Sequence, residues 1–162
     1  MEILKVIRHT DGGENYLKNA INYDFKEKTE EDEKLIETVG YGVSGTNPEY
    51  AYNQMYAVKK YFGKTEDNPL MHFVVSFDNK VDNAETASEY TKNISDYFKN
   101  DYQMVTAIHQ ENQGNSKYHA HIVMNSVNYN NGKLYHSGIG ELKQFAMHIH
   151  DVTDNYCKIE FK

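Results

Sequence analysis

A chain of 162 residues suits one domain with a proper core, and its single cysteine, Cys157, excludes an internal disulfide and points to a reducing, cytoplasmic setting. No apolar run approaches the roughly 18 residues that span a membrane, and the start Met1–Arg8 is too short for a signal peptide, so no membrane insertion is expected. The balance of 17 basic against 24 acidic side chains gives −7, which argues mildly against a nucleic-acid partner, and the lone arginine, Arg8, leaves bidentate reading of guanine nearly unavailable.

In chain order, Glu2 to Arg8 reads as a strand, and an Asp11-Gly12-Gly13 turn leads into a short helix over about 14–22, where Leu17, Ala20 and Ile21 keep helical spacing. The acidic stretch from Glu27 to Glu37 reads as a solvated helix face or loop. Asn47 and Pro48 look like an N-cap followed by proline at the first helical position, opening a helix to about Phe62 that Gly63 stops. Tyr52, Met55, Tyr56 and Lys59 line one of its faces, and Lys59, Lys60 and Lys64 gather positive charge. Met71 to Phe77 is a strand with Phe73, Val75 and Phe77 on one side and His72, Val74 and Ser76 on the other. Asp82 or Asn83 caps a helix to about Phe98. Tyr129-Asn-Asn-Gly132 signals a turn before a short extended piece at 133–135, and a last helix is expected over about 139–156. Strands with interleaved helices make an α+β domain, one sheet covered on at least one face.

The most informative stretch runs from Tyr102 to Val127. Two strands, 102–110 and 119–127, flank a polar, turn-rich connection at 111–117, which predicts an antiparallel hairpin. Period-two alternation puts His119, His121, Val123 and Asn125 on one face. If His109 pairs across from His119, three imidazoles converge, since opposed Cβ atoms stand roughly 4.5–5.5 Å apart. Three protein ligands with an open position are what a catalytic metal requires. A lone strand histidine is more often a solvated or core side chain; three in compatible register with a same-face Asn125 favour a site. Imidazoles accept Mn²⁺, Zn²⁺ or Ni²⁺ more readily than Mg²⁺.

Ordered pieces along nearly the whole chain carry a family resemblance: Leu17-Lys-Asn-Ala-Ile-Asn-Tyr23, Tyr52 to Gly63, Met71-His-Phe-Val-Val-Ser-Phe77, Thr106-Ala-Ile-His109, and His119-Ala-His-Ile-Val-Met-Asn-Ser-Val-Asn128 with Gly132-Lys133. The chain resembles the nuclease domain of relaxases, the mobilisation proteins of conjugative or mobilisable bacterial elements, in the MobP or VirD-like group of the His-hydrophobe-His endonuclease superfamily. The resemblance implies a mostly antiparallel five-stranded sheet covered by helices. It implies one relaxase domain spanning 1–162, the N-terminal part of a longer protein, acting in the bacterial cytoplasm and transferred to the recipient with the DNA.

For chemistry, the resemblance implies a site- and strand-specific nick at transfer-origin DNA by a tyrosine hydroxyl, a 5′-phosphotyrosyl intermediate, and later rejoining. It points to Tyr23 as nucleophile, with Tyr16 the nearest rival on the same helix, and to Mg²⁺ or Mn²⁺ held by His109, His119 and His121. Glu111 stands where many relatives carry an Asp, with an orienting role in view, and Ser76 matches a DNA-contacting serine. His72 shares the face of Ser76 and is either a DNA-side group or structural, while Asn125 either positions the site or satisfies a neighbouring backbone group. Implied partners are single-stranded transfer-origin DNA, an accessory nicking protein and the coupling protein of a type IV secretion system. Two other readings fit part of the pattern. One is a rolling-circle replication initiator or single-strand transposase, whose tyrosine lies downstream of the His pair; the other is a metal-stabilised module that binds DNA without cutting.

Overall fold

The computed structural model describes residues 1–7, 14–26, 33–65, 70–111 and 117–162. The Asp11-Gly12-Gly13 turn, Arg8, most of the acidic stretch and the centre of the 111–117 connection lie outside these residues. Strands β1 (Glu2–Ile7), β2 (Glu33–Tyr41), β3 (Leu70–Ser76), β4 (Met104–Glu111), β5 (Tyr118–Asn125) and β6 (Cys157–Phe161) alternate with helices α1 (Glu14–Phe25), α2 (Pro48–Tyr61), α3 (Ala84–Ser95) and α4 (Ile139–Thr153). The α+β class and the antiparallel character hold, with six strands in the order β2-β4-β5-β3-β1-β6 rather than five. Among the described residues, the β1–β6 pair is parallel and the other strand pairs are antiparallel.

Two of the six strands lie in segments that the sequence pattern does not mark as strands. Glu33–Tyr41, expected in part as a solvated acidic face, pairs antiparallel with β4 at one edge of the sheet. Cys157–Phe161 forms the opposite edge, because α4 ends at Thr153 rather than near 156. Asp154 adopts φ 53° there, a left-handed cap that closes the helix and turns the chain toward β1. The piece at 133–135 contributes a single bridge, Val127 to Leu134, held by the Asn128–Gly132 turn. Both helix caps read from asparagine are present: Asn47 accepts from the Tyr50 N–H at 3.1 Å and Asn83 from the Thr86 N–H at 2.8 Å.

Helices cover both faces, so the central strands β3 and β5 are buried along their whole length. On one side Leu4, Phe73, Val75, Ile122 and Met124 pack against α3 and α4 through Ile94, Leu142 and Phe145. On the other, Val105, Val123 and Leu70 meet α1 and α2 through Leu17, Ile21, Ala51 and Met55. This second face also carries the histidines, and α1 lies against β4 and β5 where they emerge. The helix α1 runs one turn further than its apolar residues suggest, to Phe25, and that turn brings Tyr23 and Asp24 over the sheet.

Candidate metal and nucleophile site

The hairpin has the anticipated register: His109 stands opposite His119, and His121 opposite Ala107 on β4 and Val74 on β3. All three imidazoles therefore project from one face. The rings of His109 and His121 lie 4.5 Å apart, centroid to centroid. His119 is set further along the strand. Two groups of ligand atoms fall within 4.8 Å of one another, Glu33 with His109 and His121, and Asp24 with His72 and His121; His109, His119 and His121 together do not.

Each of the two outer imidazoles has a carboxylate at its Nδ1. His109 Nδ1 donates to Glu33 Oε1 at 2.6 Å, and His119 Nδ1 lies 3.2 Å from Glu111 Oε1. A carboxylate on Nδ1 fixes the tautomer and leaves Nε2 as the basic atom, which is how metal-ligating histidines are oriented. The Nε2 of His109 is buried and makes no hydrogen bond. Burial, aided by the Lys5 charge and opposed by Glu33, lowers the His119 pKa to about 4, so that ring is neutral near pH 7 as a ligand must be. Buried imidazoles backed by carboxylates suit a divalent cation.

Tyr23, half-buried on the last turn of α1, places its ring parallel to His109 with centroids 5.9 Å apart and tilted at 5.3 Å to His121. Tyr16 is two turns earlier on the helix and packs with Tyr56 and Phe25 around the Leu17 cluster. Ser76 sits opposite His119, and its buried Oγ has no hydrogen-bond partner. The ring of His72 is 6.0 Å from that of His121. Asn125, fully buried, donates to Met55 O and Gln103 Oε1 and accepts from the Val127 N–H, so its amide ties β5 to α2 and the following turn.

Two acidic residues at the site were not anticipated. Glu33 was hidden in the acidic run and is reached only once β2 pairs with β4. Asp24 had a readable signal: it occupies the fourth position of the stripe Leu17, Ala20, Ile21, Asp24, all buried, where an apolar residue belongs. Its carboxyl is inaccessible to solvent, and burial raises its pKa well above the usual carboxylate range.

The sheet-borne histidine cluster thus lies beside a helix-borne tyrosine, Tyr23. Residues 16–158 match the relaxase family described as MobA/VirD2-like, nuclease domain, and the chain belongs to that family. No curated protein and no solved structure matches the chain. Membership makes it a DNA-nicking nuclease of a metal-dependent family. Among the described residues, no helix is long and apolar enough to cross a membrane.

Proposed function

We propose that the Tyr23 hydroxyl attacks one phosphodiester of single-stranded transfer-origin DNA during conjugative transfer. The bond that forms joins Tyr23 Oη to phosphorus, and the bond that breaks releases the 3′ oxygen, which takes up a proton as the tyrosyl proton is lost. The resulting 5′-phosphotyrosyl link conserves the bond, so attack by the 3′-hydroxyl rejoins the strand. One observation carries this reading: of 14 tyrosines, Tyr23 faces the buried imidazoles of His109 and His121 from the helix that covers them.

His109, His119 and His121 would hold the cation, Mg²⁺ or Mn²⁺ in function with Zn²⁺ or Ni²⁺ as alternatives, and Glu33 and Glu111 orient two of the rings. When bound, the ion supplies positive charge to the non-bridging oxygens and favours ionisation of a phenol that ordinarily titrates near pH 10. Ser76 supports DNA contact, because a buried hydroxyl without a partner beside His119 is placed to donate to a phosphate. An accessory nicking protein opens the duplex, and a coupling protein of a type IV secretion system passes the cytoplasmic conjugate to the recipient.

The test is incubation of the protein with labelled single-stranded oligonucleotides of candidate transfer origins and Mn²⁺, followed by denaturing gels. A protein-linked band is expected from wild type and Tyr16→Phe and should vanish in Tyr23→Phe and on chelation. A band that survives Tyr23→Phe moves the nucleophile elsewhere. DNA binding with no band for any origin favours the non-cutting module.

A further inference from the structure

Asp24 has no role in the chemistry above, yet it lies fully buried in the site. Its carboxylate is fully buried, and neither oxygen has a hydrogen-bond partner. A charge removed from water without compensation costs several kcal/mol, so buried carboxylates are paired, protonated or bound to metal. Among the described residues, Asp24 stands with two imidazoles: one ligand atom each from Asp24, His72 and His121 lies within 4.8 Å of the others. Two imidazoles with one carboxylate are a donor set for Mn²⁺, Fe²⁺ or Zn²⁺, with coordination positions left open.

We propose that Asp24, His72 and His121 form a second seat for a divalent cation, adjoining that of His109 and His119 and sharing His121 with it. A neutral imidazole offers one lone pair, so a single ion occupies one seat or the other. Consecutive residues on a helix point about 100° apart. Tyr23 therefore faces His109 and His121 while Asp24 faces His72 and His121, and α1 straddles the shared ring. An ion in the second seat ties the nucleophile helix to the sheet through the residue next to Tyr23. The seat accounts for a histidine on β3 and an acid in an apolar stripe, which tyrosine chemistry by itself leaves without a purpose.

This inference rests on the metal-dependent reading of the site, but its test needs neither DNA nor catalysis. Mn²⁺ binding to the full chain is measured by calorimetric titration, with melting temperatures taken in chelator. His109→Ala, which removes the first seat, should still bind one Mn²⁺ per chain, and adding Asp24→Asn should weaken that binding at least a hundredfold. In chelator, Asp24→Asn should melt no lower than wild type, since the amide keeps the shape of a carboxyl whose oxygens make no hydrogen bond. The proposal is overturned if His109→Ala binds no Mn²⁺, if the double variant binds as His109→Ala does, or if Asp24→Asn melts lower in chelator, which would make the carboxylate structural. Failure of the nicking assay with these binding results intact would count against Tyr23 chemistry alone.

Discussion

Burial lowers the pKa of His119 to about 4, and its neighbours show why. Desolvation disfavours the imidazolium, Lys5 adds repulsion, and Glu33 opposes both without prevailing, leaving a pKa of about 4. The unfolded chain binds this proton near pH 6.5 and the folded chain only near pH 4, so between those values the unfolded state carries more protons and acidification favours it. Stability from this residue is present above about pH 6.5, falls as pH drops toward 4, and is level below that; the full loss is about 3 kcal/mol. Urea unfolding of the chelated protein from pH 7 to pH 4 should show this decline, and His119→Gln should flatten it. An equally steep decline in the variant would assign it to other groups.

Between elements, the return from β2 into α2 depends on backbone contact that only glycine permits. A Cβ on Gly40 would stand 2.2 Å from Val43 O and 2.6 Å from Gly45 N, both backbone atoms unable to yield as a side-chain tip would. Gly40→Ala should therefore cost roughly 1–3 kcal/mol or more and lower the melting temperature by about 5–10 °C. Gly140→Ala, in α4 with nothing within 4 Å of the added carbon, should be neutral or slightly stabilising. Equal effects would mean that the 40–45 backbone relaxes freely. The same edge shows what could be read in advance. The β4–β5 hairpin was legible because alternation and a polar connection specify both its pairing and which face carries His109, His119 and His121. The strand β2 was not, because its acids resemble a solvated face until pairing with β4 places Glu33 against His109. In β6 the alternation of Cys157, Ile159 and Phe161 with Lys158 and Glu160 is visible, but five residues at a chain end gain meaning only from β1 beside them. Helix α1 was legible to about Asn22, as far as Leu17, Ala20 and Ile21 keep helical spacing, and the turn beyond, to Phe25, is the one that brings Tyr23 and Asp24 to the site.

Over the whole molecule, a charge of −7 stands against the grip on DNA that a nicking nuclease needs. Of the three lysines that gather near the end of α2, Lys59 is buried while Lys60 is exposed, and Lys5 on β1 is close enough to His119 to repel its proton. On the proposed metal-dependent reading, a bound divalent ion would add positive charge beside Lys5, and the two together are expected to attract phosphate at the site. Each phosphate neutralised on a single strand contributes about 0.7 to the slope of log affinity against log salt, and two or three such contacts give a slope of about −1.5 to −2. With Mn²⁺ present, fluorescence anisotropy of a labelled origin strand across a salt series should give that shallow slope, and Lys5→Gln should reduce it by about 0.7 without changing which origin is preferred. A slope several times steeper would require a basic surface beyond the lysines around this site, and an unchanged slope in Lys5→Gln would remove β1 from the DNA path.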